Sequence, residues 1–463
     1  MIQTTRRRLI ASSALLAGLP TLAHAAAPER DDAWKEADAI LARIKPPAIP
    51  RRDFPITMFG AKPGGEADCT QAITAALNAA SKAGGGRVVV PPGVWLTGAI
   101  HLKSNTELHV AKGATLKFSR DPAAYLPNVL TRHEGIELMN YSPFIYALDQ
   151  HDIAVTGEGT LDGQADADHW WNWVKRPPPG VVSDRKRLGD MAEAGVPVAE
   201  RVFGAGHTIR TMFVQPYRCR NVLIEGLTLV SSPMWEIHPV ECENVIVRGL
   251  KIHSRGPNND GCDPESCRDV LIEGCVFDTG DDCIAIKSGR NAEGRRLRKP
   301  TENVIIRDCQ MMDGHGGVTL GSEITGGVRN VFVERCKMDS PRLDIAIRFK
   351  NNAMRGGTLE NIHVRDIAVG QVAKAVITID YNYQEGAAGP YIPVFRHLVI
   401  ERLVSGHSPR ALDLQGFPNA PIHDVTLRDC EFNDVTGQDI VQHVEGLTFD
   451  NVRINGQLAK PPT

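Results

Sequence analysis

Asn258-Asn259-Asp260-Gly261 and Gly280-Asp281-Asp282-Cys283 put three aspartates on two short glycine-marked segments, one repeat apart. A single Asp-Gly is ordinary turn chemistry. Here Gly314-His315-Gly316 and Arg348-Phe349-Lys350 follow at corresponding places in later repeats, which turn chemistry alone does not explain. Three converging carboxylates suit either a calcium site or acid/base work on a glycosidic bond. Two like charges ~4 Å apart repel by about 4 kcal/mol at an effective dielectric of about 20, enough to keep one carboxyl protonated in mild acid. A general acid needs that proton. Taken alone, His315 reads as a turn histidine, and Arg348 and Lys350, alternating on one strand face, read as a solvated edge. Only their place beside three carboxylates sets those bland readings aside.

Convergence requires a fold that stacks these segments. Asn221-Val222-Leu223-Ile224, Asn244-Val245-Ile246-Val247, Asp269-Val270-Leu271-Ile272, Asn303-Val304-Ile305-Ile306, Asn330-Val331-Phe332-Val333, Asn361-Ile362-His363-Val364 and Asp424-Val425-Thr426-Leu427 share one template. The leading polar residues of the first six recur at 221, 244, 269, 303, 330 and 361. Constant strand pattern with variable spacing means stacked coils with loops inserted on one side, and the runs lack helical periodicity. Six residues beyond each polar residue stand Leu227, Leu250, Cys275, Cys309, Cys336, Ile367 and Cys430, an inward ladder. The expected fold is all-β: a single-stranded right-handed parallel β-helix, a solenoid, whose equivalent positions lie ~4.8 Å apart on successive coils. Asp281 and Asp282 cannot both point outward from a regular strand, so a bend at Gly280 is expected.

Thr70 to Ala83 has helical spacing (Ala72, Ile73, Ala76, Leu77, Ala80) and ends at Gly84-Gly85-Gly86, as expected of a helix capping the open end of the first coil. Residues 26–52 read as a polar helical or linker lead-in, and 53–463 as the β-helix domain with an inserted region at about 164–212. That insertion carries Trp170-Trp171-Asn172-Trp173 and Pro177-Pro178-Pro179-Gly180, either a loop packed on the solenoid or an aromatic wall for sugar faces. At the start, Arg6-Arg7-Arg8, an apolar run from Ala11 to Leu22 and Ala23-His24-Ala25 make residues 1–25 a twin-arginine-like secretory signal. Export to the periplasm or beyond is expected, with a soluble monomeric product and no membrane partner. A formal net charge of −3 gives no basic field, so no nucleic-acid partner is expected. Of the ten cysteines, four fall on the core ladder as small hydrophobes; Cys262 and Cys267 are the pair close enough to bridge, and none has metal-ligand spacing.

Asn258-Asn259-Asp260, Asp281-Asp282, Gly314-His315-Gly316 and Arg348-Phe349-Lys350, in that order, resemble the four signature motifs of the polygalacturonases, glycoside hydrolase family 28. The likeness runs from about Asp53 to the end. It implies inverting hydrolysis of pectic α-1,4-galacturonide linkages without a cofactor or metal. It makes Asp281 the general acid, Asp260 and Asp282 the residues activating water, and His315 the group tuning the acid. Arg348 and Lys350 would bind a galacturonate carboxylate, with Asn258 beside them. Tyr381 matches the family's late tyrosine, with Tyr383 a competitor, and Lys287 and Glu323 are expected to line neighbouring subsites. Asn259 and Phe349 depart from the commoner Thr and Ile and point to altered subsite shape. The insertion is expected to block one end of the groove, favouring exo action on oligogalacturonides. A rhamnogalacturonan or substituted-pectin hydrolase is the nearest alternative. A calcium-dependent pectate lyase would need a strong base beside a calcium cage, and a non-catalytic carbohydrate-binding β-helix would have no use for the three carboxylates.

Overall fold

The computed structural model describes residues 32–175 and 182–462. The expected leader at 1–25 and the Pro177-Pro178-Pro179-Gly180 stretch lie outside the described residues. The chain winds as the expected parallel β-helix, with three sheets along its length. In the first sheet Val222, Val245, Val270, Val304, Val331, Ile362, Leu398 and Val425 are in register on successive coils and point into the core. Leu227, Leu250, Cys275, Cys309, Cys336, Ile367 and Cys430 form the buried ladder anticipated at the next corner. All ten cysteines are buried and unbridged, Cys262 and Cys267 included.

The template's leading polar residue has a conformational cause. Asn221, Asn244, Asp269, Asn303, Asn330, Asn361 and Asp424 all sit in the left-handed region, with φ between 56° and 60°. Asn and Asp tolerate it better than other residues with a side chain. Their amides hydrogen-bond along the solenoid: Asn244 donates to Asn221 at 2.8 Å, Asn303 to Asp269 at 2.9 Å, Asn330 to Asn303 at 3.0 Å and Asn361 to Asn330 at 2.7 Å. Each coil thereby turns the same corner at the same register.

The helix Thr70–Lys82 caps the N-terminal end, burying Ala72, Ile73, Ala76, Leu77 and Ala80 as its spacing predicts. The lead-in is helical but not polar throughout. Helix Asp32–Arg43 buries Trp34, Ala37 and Ile40 against an outward-facing row of Ala154, Leu223, Ile246, Leu271, Ile305 and Phe332. This explains why the first five templates carry three consecutive apolar residues: both faces of that strand are covered. In later coils the middle position becomes His363 and Thr426. Arg43 clamps the arrangement through a bidentate pair with Asp269 at 2.7 and 2.9 Å.

The described part of the insertion packs a small core of Leu188, Ala192, Phe203 and Ile209 on Ile136 and Leu138. Helix Asp184–Glu193 is capped by Ser183, whose Oγ accepts from the Lys186 amide. Leu138 and Ile136 belong to an antiparallel hairpin, Val129–His133 with Ile136–Asn140, that the sequence reading did not anticipate. Trp170 is buried against Tyr125, Tyr141 and Phe144, so the packing reading holds for that residue. Among the described residues no helix is long and apolar enough to cross a membrane.

Candidate active site

The site lies on the third sheet, where Val214, Ile237, Cys262, Ile284, Val318 and Ile347 are aligned coil on coil. Asp260 stands two residues before Cys262 and Asp282 two before Ile284, so these two are in register on adjacent coils. Asp281 reaches the same place from the bend before its strand. One oxygen from each of the three carboxylates lies within 4.8 Å of the others. The expected convergence is present.

Close approaches explain the glycines. A Cβ on Gly280 would sit 2.2 Å from the Gly256 carbonyl. On Gly314 it would stand 2.6 Å from the Asp281 carbonyl, and on Gly316 2.8 Å from Asp282 Oδ1. The motif Gly314-His315-Gly316 is therefore the only shape that lets this coil lie on the aspartate pair. Its amide, His315 N–H, donates to Asp281 O at 3.1 Å, and Thr279 Oγ1 donates to the same oxygen at 2.8 Å.

The three carboxyls have different surroundings. Asp282 is fully buried; Thr319 Oγ1 donates to its Oδ1 at 3.0 Å, Arg348 Nη1 lies 3.3 Å from the same oxygen, and Lys350 Nζ is 2.5 Å from Oδ2. Although burial opposes it, Lys350 and Arg348 hold its pKa down at about 2. Asp260 is pushed well above the usual carboxylate range, first by burial and then by the charge of Asp281. Burial thus outranks the like-charge repulsion expected from sequence. Its Oδ1 has no hydrogen-bond partner, and Lys287 Nζ stands 3.6 Å from Oδ2. Asp281 keeps 18% of its side chain exposed and is bonded at 3.0 Å to His315 Nδ1, which is raised by that bond.

Asn258 lies 3.4 Å from Asp281 Oδ2 and accepts from Arg210 Nη2 at 2.6 Å. Arg210 is buried, and burial lowers it to about 10. Nothing in the sequence marked Arg210, Thr319 or Asp263: Arg210 comes from the insertion, and the other two take their meaning from the register of neighbouring coils. Lys350 is more enclosed than a groove residue, with 5% of its side chain exposed against 16% for Arg348.

Several expectations need correcting. Tyr381 is fully buried in the solenoid core against Phe417, so its hydroxyl cannot reach a substrate. Tyr383, two residues on, is half-exposed and stands over the cations, its ring centroid 5.6 Å from Arg348 and 5.2 Å from Lys350. Strand alternation separates the two tyrosines. Lys287 and Glu323 lie in the floor, 3.2 Å apart and almost wholly buried, rather than along an open subsite. Asn259 is buried, bonded to Ser254, Gly256, Ser232 and Met234, and Phe349 packs inward on Phe395. Neither departure from the family pattern shapes the groove.

Beside Asn258 a cavity of about 210 Å³ is lined by His133, Glu134, Trp173, Arg185 and Arg210. A second, of about 360 Å³, shares His133, Glu134 and Arg185 and reaches Arg290 and Glu385. Arg185 and Arg290 both pair with Glu134, at 2.5 and 3.0 Å, leaving one acid between two arginines.

A solenoid with three carboxylates converging on one face, one held low by two cations and one pushed up by burial, and with Arg348 and Tyr383 at the rim, has the make-up of a carbohydrate-processing β-helix. The profile of Glycosyl hydrolases family 28 matches residues 205–431. The solved exopolygalacturonase of Thermotoga maritima is 46% identical with a TM-score of 0.88, covering 92% of this chain and 96% of its own. A probable polygalacturonase of Vitis vinifera is 29% identical over 80% of this chain and 72% of the relative. The exo-poly-alpha-D-galacturonosidase of Dickeya chrysanthemi is 28% identical over 71% and 57% respectively. The chain belongs to glycoside hydrolase family 28.

Proposed function

We propose that the protein hydrolyses α-1,4-galacturonide linkages from a chain end, releasing galacturonate from pectic oligosaccharides with inversion. The observation that carries the reading is the divided carboxylate set: Asp282 locked anionic, Asp260 favouring a proton, and Asp281 partly exposed beside His315. In a set this close the proton belongs to the group rather than to one residue. Asp281, nearest solvent, delivers it to the leaving oxygen, and Asp260, ionised once that proton has gone and with Oδ1 free of other partners, takes a proton from the attacking water, while Asp282 stays anionic beside it. Tyr383 and Arg348 lie at the rim, where a galacturonate ring and its carboxylate are bound.

Carboxyl separations below those usual for inversion would by themselves favour a covalent intermediate. Asp282, however, is fully buried with both oxygens engaged, and Asp260 is only 3% exposed, so neither carboxylate reaches an anomeric carbon. Water is the available nucleophile. End-on action is supported by the insertion, whose Trp173, Arg185 and Arg210 line the cavity beside Asn258, and by the exo-acting relatives. The leader-like first residues support export, which the N-terminal sequence of the mature protein would test.

Incubation with trigalacturonate, with and without chelator, should release galacturonate stepwise, and proton NMR at early times should show the inverted anomer. Asp281→Asn should abolish release. A fast viscosity drop in long polygalacturonate with few new reducing ends would refute end-on action, and a retained anomer would refute water as the nucleophile.

A further inference from the structure

Lys287 is the cation of the site that no proposed step uses. Its ammonium stands 3.6 Å from Asp260 Oδ2, 3.4 Å from Asp263 Oδ1 and 3.2 Å from Glu323 Oε2, with 3% of the side chain exposed. The Trp235 ring closes the remaining side, its centroid 4.2 Å from Nζ. Both oxygens of Asp263 and Oδ1 of Asp260 have no hydrogen-bond partner, so the lysine is the favourable contact these two carboxyls share. A cation enclosed in this way cannot bind a sugar carboxylate.

We propose that Lys287 is a positioning residue for Asp260: shared among three buried carboxyls, its ammonium holds the Asp260 carboxylate in place and ionised while water is activated. The proposal rests on the hydrolase reading above. The charge balance around Asp260 comes from Asp281, Asp282 and Asp263, which oppose its ionisation, and from Lys287 and Arg210, which favour it. Around the lysine stand Glu323 and Asp282, with Lys350 and His238 as neighbouring cationic or titratable groups; Glu236 faces Asp263. One lysine thus serves more anions than it can neutralise, and removing a competing anion strengthens its hold on Asp260.

The test reads kcat against pH for galacturonate release. Lys287→Met should move the acidic limb upward by about one pH unit or more, the effect of losing an opposite charge within about 4–6 Å, with KM little changed. Lys287→Arg should restore part of the shift. Glu323→Gln should move the limb the other way, and this variant decides the matter even if Lys287→Met fails to fold. A raised KM with an unmoved limb in Lys287→Met, or an unmoved limb in Glu323→Gln, overturns the inference alone. A wild-type protein that releases no galacturonate overturns the hydrolase reading and this inference with it.

Discussion

Replacing Lys350 with methionine separates two roles that the Arg348-Phe349-Lys350 motif could play. The sequence casts Lys350 as a substrate cation, whereas in the folded chain its Nζ sits 2.5 Å from Asp282 Oδ2, with 5% and 0% of the two side chains exposed. Asp282 falls from the ordinary 3.8 to about 2, which corresponds to about 2–3 kcal/mol favouring the ionised form. The sign is that of a depressed carboxylate: the stabilisation is fully present above its unfolded value and is lost as pH falls towards about 2. Lys350→Met leaves Arg348 at 3.3 Å and Thr319 at 3.0 Å as partners, so the cost should lie near the lower end of that for breaking a buried pair, about 3 kcal/mol. Less of Asp282 is then ionised in mild acid, and kcat should fall by about 30-fold, the equivalent of about 2 kcal/mol, with KM moving little. Urea unfolding at neutral pH and galacturonate release supply the two readouts, and the cycle with Asp282→Asn should give a coupling of about 2–3 kcal/mol. A coupling near zero, together with a loss confined to KM, would refute the argument and return Lys350 to the substrate.

Other outcomes follow from the same contacts. His315, raised by its bond to Asp281, should lose its charge as pH rises, so wild-type kcat should decline on the alkaline side and His315→Ala should flatten that limb; a wild-type limb retained in the variant would contradict the role. Tyr381→Phe, which removes a buried hydroxyl without a partner, should leave activity and stability nearly unchanged, while Tyr383→Leu should raise KM several-fold through loss of the ring over Arg348 and Lys350. The opposite ranking would restore Tyr381 as the substrate tyrosine. Asn330→Ala should cost about 3 kcal/mol in urea, from two ladder hydrogen bonds and a left-handed alanine, and Asn330→Gly about 2 kcal/mol; equal losses would mean that the left-handed corner contributes nothing.

The aspartates, His315 and the two cations could be found in the linear chain because each carries a functional group beside glycines whose spacing tracks the coils. The repeat itself was legible for a similar reason: strand alternation and a left-handed corner each restrict residue choice at a fixed offset, leaving Asn or Asp before every Val/Ile run. The middle apolar residue in those runs also held information, since an uncovered strand would have been polar there; only helix Asp32–Arg43 lying across it makes the signal intelligible. The antiparallel hairpin Val129–His133 with Ile136–Asn140 was missed because neither strand alternates and its two-residue turn is Glu134-Gly135 rather than the telling Asn-Gly or Asp-Gly.

By itself the amino-acid sequence determined the coil repeat, the inward ladder, the capping helix and the chemical inventory of the site, all properties of local spacing. The tertiary structure alone decided that Asp260 is pushed up and Asp282 held down, because burial and the approach of Lys350, Arg348 and Lys287 depend on the register between coils. It also decided that Tyr383 and not Tyr381 faces the groove, that Lys287 and Glu323 are floor rather than wall, and that Arg210 arrives from an insertion about fifty residues upstream of Asp260. Electrostatics acts through distance in space, and in a solenoid residues tens of positions apart in the chain become nearest neighbours ~4.8 Å away.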